Sequence, residues 1–506
     1  MINSNFSNQL NPKFRFLIKA NCSFLKLEGL IIQNNYLNEN VLINGLDSQI
    51  IFENISISGN QIVSDNSSFF FFDFSENSQN DTITISQLYL SHNQLNSTLW
   101  TSNNNFILNI SDSVFENNLM DSIFYVSYAE NLFIFNSTFN QNIFIDGQAN
   151  QTFGGILNIY NSKNIVLNSL FIFGSYSETM KIIGIYGVEL SYLLIISCSF
   201  YENSVNITIT QDFTTVDIGV VFNIEMTDEG SVVIENSVFS QNLLMIDPSL
   251  QIQDFQGVPC GIIMNSQGKL QISQTTFENH LSSDHGLCLD LTVQTIILSE
   301  TTFYNNSVVF SESLELNTMR GVLYIDFSNI TIFNSIFSSN QANLGTSIII
   351  KLESLFEFQT LYMNNSLFVE NYAYDASNAI YIDSNEYGRM FFVENCSFLY
   401  GQSDGLSGVF FFVTTSGSSY QNYSFYQCDF IQNAGSYFGA IAEHYPTYPN
   451  SCFLYFELCQ FVDNFLTVDD PENVYAVIFD VWGEALESLD DNNFAVHTKN
   501  CFFMGG

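Results

Sequence analysis

Positive charge is what this chain has least of. Its 506 residues carry 11 Lys and Arg against 51 Asp and Glu, a formal net charge of −40, which repels nucleic acid and anionic membrane surfaces and suits a solvated face that attracts cations. Proline is scarce, at 6 residues, and no long segment spaces its apolar residues at a helical period. The most apolar window, Ile182 to Phe200, is interrupted by Glu189, so no stretch is long and apolar enough to cross a bilayer as a helix. Residues 1–14 lack the basic start and apolar run of a secretory leader, so no address is encoded there. Cys-x-x-Cys and His-x-x-x-His spacings are missing, which removes the usual zinc signatures. No phosphate loop, nucleophile elbow or triad spacing occurs.

Aromatic residues are abundant, with 51 Phe and 25 Tyr, and that bias favours strands. They recur in a pattern typified by Ile134-Phe135-Asn136-Ser137-Thr138-Phe139-Asn140-Gln141-Asn142. Sixteen copies align on anchors at Ile32, Ile57, Leu90, Phe115, Phe139, Phe173, Phe200, Phe239, Phe277, Phe303, Phe337, Phe368, Phe398, Phe430, Phe461 and Phe503. Five residues before the anchor, fourteen copies are apolar, the exceptions being Asn168 and Thr498. Two residues before it, twelve copies carry Ser, Thr or Cys, and three residues after it, twelve carry Asn. Tyr176, His280, Gly401 and Gly506 replace that Asn.

The first two inward positions lie three residues apart rather than two, so the alternation of a strand is broken once per copy. Asn often stands in the break, at Asn136, Asn236, Asn334, Asn365, Asn395 and Asn500, and Asn tolerates the left-handed backbone of a sharp corner. Equivalent Asn side chains can hydrogen-bond along a stack. A Gly followed by an apolar strand recurs further on, at Gly154-Gly155-Ile156-Leu157, Gly219, Gly261, Gly286, Gly321, Gly408 and Gly439, where the lack of a Cβ permits close backbone approach. Ile85 to Leu95 would pass alone as a leucine-rich repeat. The 24 residues from Phe115 to Phe139 hold two further strand-like runs and no helical segment, which favours three short strands per coil.

The expected fold is therefore all-β: a right-handed parallel β-helix of about sixteen rungs and roughly 75 Å at about 4.8 Å per rung. Residues 1–20 are expected to form an irregular lead-in, and residues 21–506 a single continuous array, incomplete at its C-terminal end and belonging to a larger secreted or membrane-anchored protein.

The Phe-x-x-Asn element with the Gly-Gly-x-Ile strand, as in Phe115 to Asn118 and Gly154 to Leu157, resembles the repeats of the polymorphic outer-membrane-protein and related pectin-lyase-like right-handed β-helix families, over about Leu27 to Gly506. That resemblance implies architecture, since such β-helices include adhesins, surface stalks and polysaccharide-degrading enzymes. The bacterial surface family also has a C-terminal membrane barrel, which this sequence does not contain.

Five of the nine cysteines, Cys198, Cys396, Cys428, Cys459 and Cys501, occupy the small inward slot before an anchor, where other copies carry Ser113, Ser137, Ser237 or Thr275. They read as buried fillers rather than a disulfide framework. Cys22 lies in a related stretch out of register, and Cys260, Cys288 and Cys452 lie elsewhere. Sequons occur at Asn54, Asn66, Asn96, Asn109, Asn206, Asn329 and Asn422; those at Asn136 and Asn395 overlap the corner and would be poor acceptors if buried there.

Catalytic candidates are few. The arginines are Arg15, Arg320 and Arg389, and the positions of the last two around loops suggest surface solvation. Asp290, Asp326 and Asp383 are read as ending equivalent strands, with Lys351 ending one between the last two. Asp284-His285-Gly286 offers an acid–base pair, although a lone His beside a turn Gly is usually structural, while Asp469-Asp470 and Asp490-Asp491-Asn492-Asn493 offer oxygen ligands for calcium. The expected function is a non-enzymatic extracellular or cell-surface repeat protein, an adhesive or spacer ectodomain whose partner is a protein or a carbohydrate. The alternative is a carbohydrate-active or carbohydrate-binding β-helix, which would need paired carboxylates or a base in a groove.

Overall fold

In a continuous strand alternate side chains share a face, yet in residues 131–144 the buried side chains are Leu132, Ile134, Ser137, Phe139, Asn142 and Phe144. The spacing is two, three, two, three, two. Each three-residue step contains one residue in the left-handed region, Asn136 at φ 46° and Gln141 at φ 49°. Such a residue costs about 1–2 kcal/mol when it is not Gly. The hydrogen-bond ladder continues through both corners and offsets that cost: the Asn136 amide donates to the Asn168 carbonyl at 3.1 Å and the Gln141 amide to the Phe173 carbonyl at 2.8 Å.

The computed structural model describes strand-and-corner segments between residues 5 and 504, chiefly 24–34, 49–62, 81–95, 106–120, 122–144, 155–177, 190–207, 230–246, 260–282, 288–308, 321–342, 358–374, 388–404, 421–436, 452–467 and 494–504, with short strands between them. These residues form a parallel β-helix built from strands alone. The chain groups into two compact units, 1–254 with 261–266, and 255–260 with 267–506.

Among the described residues a coil carries four strand segments, one more than the alternation in the sequence suggests. In one coil of the first unit they are a long strand, Asn164–Asn168, an anchor strand, Phe171–Phe173, a short strand, Tyr176–Ser177, and a return strand, Ile183–Gly187. Each pairs in parallel with its counterparts in the coils before and after, as in Ile134↔Leu167↔Ile195 and Leu157↔Ile183↔Phe222. The two-residue short strand is invisible to a periodicity argument because two residues show no alternation. In places the long strand merges with a neighbour, as in Asp81–Ser91 and Leu323–Phe333.

The anchors lie in register. In the first unit Ile32, Ile57, Leu90, Phe115 and Phe139 follow one another, and Phe200 pairs with Phe239. In the second the column runs from Phe277 through Phe303, Phe337, Phe368, Phe398, Phe430 and Phe461 to Phe503. One anchor needs correction: Ile172, not Phe173, pairs with Phe139 and Phe200. In Phe171-Ile172-Phe173 the smaller residue is the buried one. With Ile172 as anchor, Leu167 and Leu170 take the two positions before it and Ser175 replaces Tyr176 as the trailing residue, all four buried. The expected irregular lead-in also contains order: Asn5–Ser7 pairs with Ile31–Gln33, placing Phe6 opposite Ile32.

Packing follows from that register. Anchor rings stack nearly parallel, Phe303 on Phe337 at 4.8 Å and Phe337 on Phe368 at 4.7 Å, while return-strand rings meet the column edge-on, as Phe124 meets Phe115 at 5.3 Å and 77°. Both arrangements suit the ring quadrupole. Gly155 has φ 108°, a backbone conformation that needs Gly, while a Cβ on Gly321 would collide with the Gly345 carbonyl, so close approach explains the second of these glycines. Gly154, Gly219, Gly286 and Gly439 lie outside the described residues.

Candidate functional site

The trailing asparagines form an internal ladder. In the second unit, Asn340 donates from Nδ2 to the Phe303 carbonyl at 3.0 Å and to Asn371 Oδ1 at 3.1 Å, and its own Oδ1 accepts the Asn306 amide and Nδ2 at 3.1 and 2.9 Å. The same bonds join Asn60, Asn93, Asn118 and Asn142 in the first unit, and Asn433 and Asn464 in the second. Where Asn is replaced, the backbone amide alone keeps the contact, Ser175 with Asn203 Oδ1 and His280 with Asn306 Oδ1. At Gly401 the space a side chain would fill is taken by Asn378. These side chains are consumed by stacking and present nothing to a ligand.

Ionisable groups gather elsewhere in the second unit. Arg389 is the second residue of the strand Gly388–Glu394, and its Nε donates to Gln359 Oε1 at 2.8 Å; Gln359 Nε2 in turn donates to Asp326 Oδ1 at 3.2 Å. Asp326 is 1% exposed, and Gln359 and Arg389 are 0% exposed. Gln359 thus turns its carbonyl towards the cation and its amide nitrogen towards the anion, relaying an ion pair across successive coils in the low-dielectric interior. Arg389 is therefore buried, contrary to the surface role its sequence position suggests. General acid–base work needs a group within hydrogen-bond reach of substrate, and this column is sealed from solvent, so it holds charge in place.

Few of the remaining candidates fall among the described residues. Asp290 lies opposite Tyr324, and Asp326 opposite Thr292, so the two carboxylates sit two residues out of register instead of ending equivalent strands. Asp383 pairs through its backbone with Val413. Arg15, Arg320, Lys351, Asp284 to Gly286, Asp469-Asp470 and Asp490 to Asn493 lie outside the described residues. Among the described residues no group of three or more His, Cys, Asp or Glu converges as a metal site. No family model matches the chain, nor does any curated protein sequence. No described helix is long and apolar enough to cross a membrane.

The inward slot before the anchor holds free thiols at Cys198, Cys396, Cys428, Cys459 and Cys501; Cys260 and Cys288 are also free. All but Cys501 are buried. Burial pushes the Cys198 thiol up to about 11 and the Cys396 thiol up to about 12. Slot hydroxyls and thiols behave alike towards the backbone, Ser137 Oγ donating to the Phe135 carbonyl at 2.8 Å and Cys198 Sγ to the Ile196 carbonyl at 3.3 Å. That equivalence is why the two residue types interchange.

The first corner is exposed. Asn54, Asn136 and Asn395 face solvent, as does Asn329 in the long strand, while Asn109, Asn206 and Asn422 are half-buried. The condition under which the corner sequons would be poor acceptors is thus not met at Asn136 and Asn395, because the left-handed residue points its side chain outward. Asn66 and Asn96 lie outside the described residues.

Proposed function

We propose that this chain is a non-enzymatic extracellular or cell-surface repeat protein, a spacer or adhesive ectodomain of the pectin-lyase-like kind. The observation that carries the reading is the use of interior polar side chains for coil-to-coil bonding, typified by the Asn306–Asn340–Asn371 ladder. Cooperative hydrogen-bonded columns resist bending and sliding, the mechanical requirement of a spacer. Exposed sequons at Asn54, Asn136, Asn329 and Asn395 support passage through a secretory route, and the net charge of −40 favours a solvated surface and a protein or carbohydrate partner over nucleic acid.

The test has two arms. Protease shaving of intact cells that express the protein natively should remove it, with glycans found on the exposed sequons. Purified chain incubated with acidic and neutral polysaccharides, with and without calcium, should release no unsaturated or reducing products. Protection from the protease overturns the location, and product accumulation overturns the non-enzymatic role.

A further inference from the structure

Four slot thiols of the second unit, Cys396, Cys428, Cys459 and Cys501, occupy successive coils, because each lies two residues before an anchor and those anchors pair as Phe398↔Phe430↔Phe461↔Phe503. The rings report the separation of these coils: 5.1 Å for Phe398 and Phe430, 4.7 Å for Phe430 and Phe461, and 5.1 Å for Phe461 and Phe503. A metal–thiolate bond is about 2.3 Å long, the zinc value, so two laid end to end span about 4.6 Å. The closest match is the pair Cys428 and Cys459, both 0% exposed.

The geometry points to a two-coordinate site for a soft monovalent cation of the cuprous class, bridging Cys428 Sγ and Cys459 Sγ along the stacking direction. A column gives each thiol one neighbour above and one below, which suits linear ligation. Zinc needs four converging donors, and among the described residues no such group of His, Cys, Asp or Glu exists. Thiolates select soft ions over hard ones, so calcium and magnesium are excluded from this pair.

In the metal-free chain Cys428 Sγ donates to the Val393 and Tyr426 carbonyls, both at 3.4 Å, and Cys459 Sγ to the Phe425 and Glu457 carbonyls, both at 3.5 Å. These are long, weak contacts that two metal–sulfur bonds would replace. Binding replaces both thiol protons: two S–H bonds break, two metal–sulfur bonds form, two protons leave to solvent and the site carries one net negative charge. No change of oxidation state is involved.

The experiment uses the full chain, reduced and anaerobic, titrated with cuprous ion held by a chromophoric chelator. Wild type should withdraw copper from the chelator and develop near-ultraviolet thiolate-to-copper absorption. C428S/C459S should lose both signals while keeping its circular dichroism and melting temperature, since Ser occupies the same slot at Ser335 and Ser366. C198S, which removes a thiol whose column neighbours are Leu170 and Ser237, should bind as wild type does. Failure of wild type to compete with the chelator, or unchanged copper binding in C428S/C459S, overturns the site.

Discussion

Asn340 shows how much a single side chain carries. Its amide makes bonds above and below, and truncation removes the side-chain donor to the Phe303 carbonyl and the acceptor of the Asn306 backbone N–H, while Asn371 Oδ1 keeps the Asn340 backbone amide and Asn306 Nδ2 keeps the Phe277 carbonyl. Each orphaned buried group costs about 1–3 kcal/mol, so Asn340→Ala should lower stability by about 3 kcal/mol or more, read as the shift in urea midpoint. Asp326→Leu should cost about 3 kcal/mol, because it removes the carboxylate that Arg389 reaches through Gln359, and D326L/R389M should recover much of the loss; thermal unfolding of the three variants checks it. Cys198 gives a pH dependence with a definite sign. Its thiol is raised from 9.0 to about 11, so the folded chain holds this proton more tightly. The stabilisation is complete below pH 9 and is lost as pH rises from 9 to 11, amounting to about 2–3 kcal/mol. Alkaline unfolding of C198S should lack that increment. At this scale the sequence was legible where residue type and geometry coincide, as at corner Asn136 and Asn334. It misled at Arg389, where charge suggested solvent, and at Phe173, where two aromatics flank the Ile that points inward.

At the level of elements, one phenylalanine column organises the second unit. Phe337 lies between Phe303 and Phe368 at 4.8 and 4.7 Å, so Phe337→Ala opens a cavity against two rings and should cost about 3–5 kcal/mol. Its neighbouring columns should remain registered through backbone bonds, and hydrogen exchange should show faster opening centred on the strands Thr302–Tyr304, Ile336–Ser338 and Leu367–Val369. The long and anchor strands are readable in sequence because their inward positions recur at fixed offsets. The second corner is not: residues as different as Gln141, Glu202, Ser339 and Tyr400 hold φ between 49° and 56° there. The ladder of backbone bonds imposes that conformation, at Tyr400 before Gly401 as at Gln141 before Asn142, so the corner residue itself carries no signature. The buried Asp326–Gln359–Arg389 relay was equally hidden, since its members come from three coils and follow no repeat.

For the molecule as a whole, charge opposes the fold. With 51 acidic against 11 basic residues, self-repulsion destabilises the compact state, and exposed pairs such as Lys499 with Glu457 at 2.6 Å relieve it locally. Added salt screens repulsion over a shorter distance, about 10 Å at 0.1 M ionic strength. The melting temperature should therefore rise between roughly 10 and 200 mM sodium chloride, and calorimetry across that range checks it.

Between the short and return strands the first unit bridges with the single residue 121 in one coil and with 208–221 in another, yet Ser122↔Gly155 and Ile183↔Phe222 keep their alignment. Connection length is thus uncoupled from stacking order. Foreign epitopes of different sizes spliced into 145–154 should be displayed side by side on one unaltered scaffold, which gives this chain a modularity that compact enzymes lack.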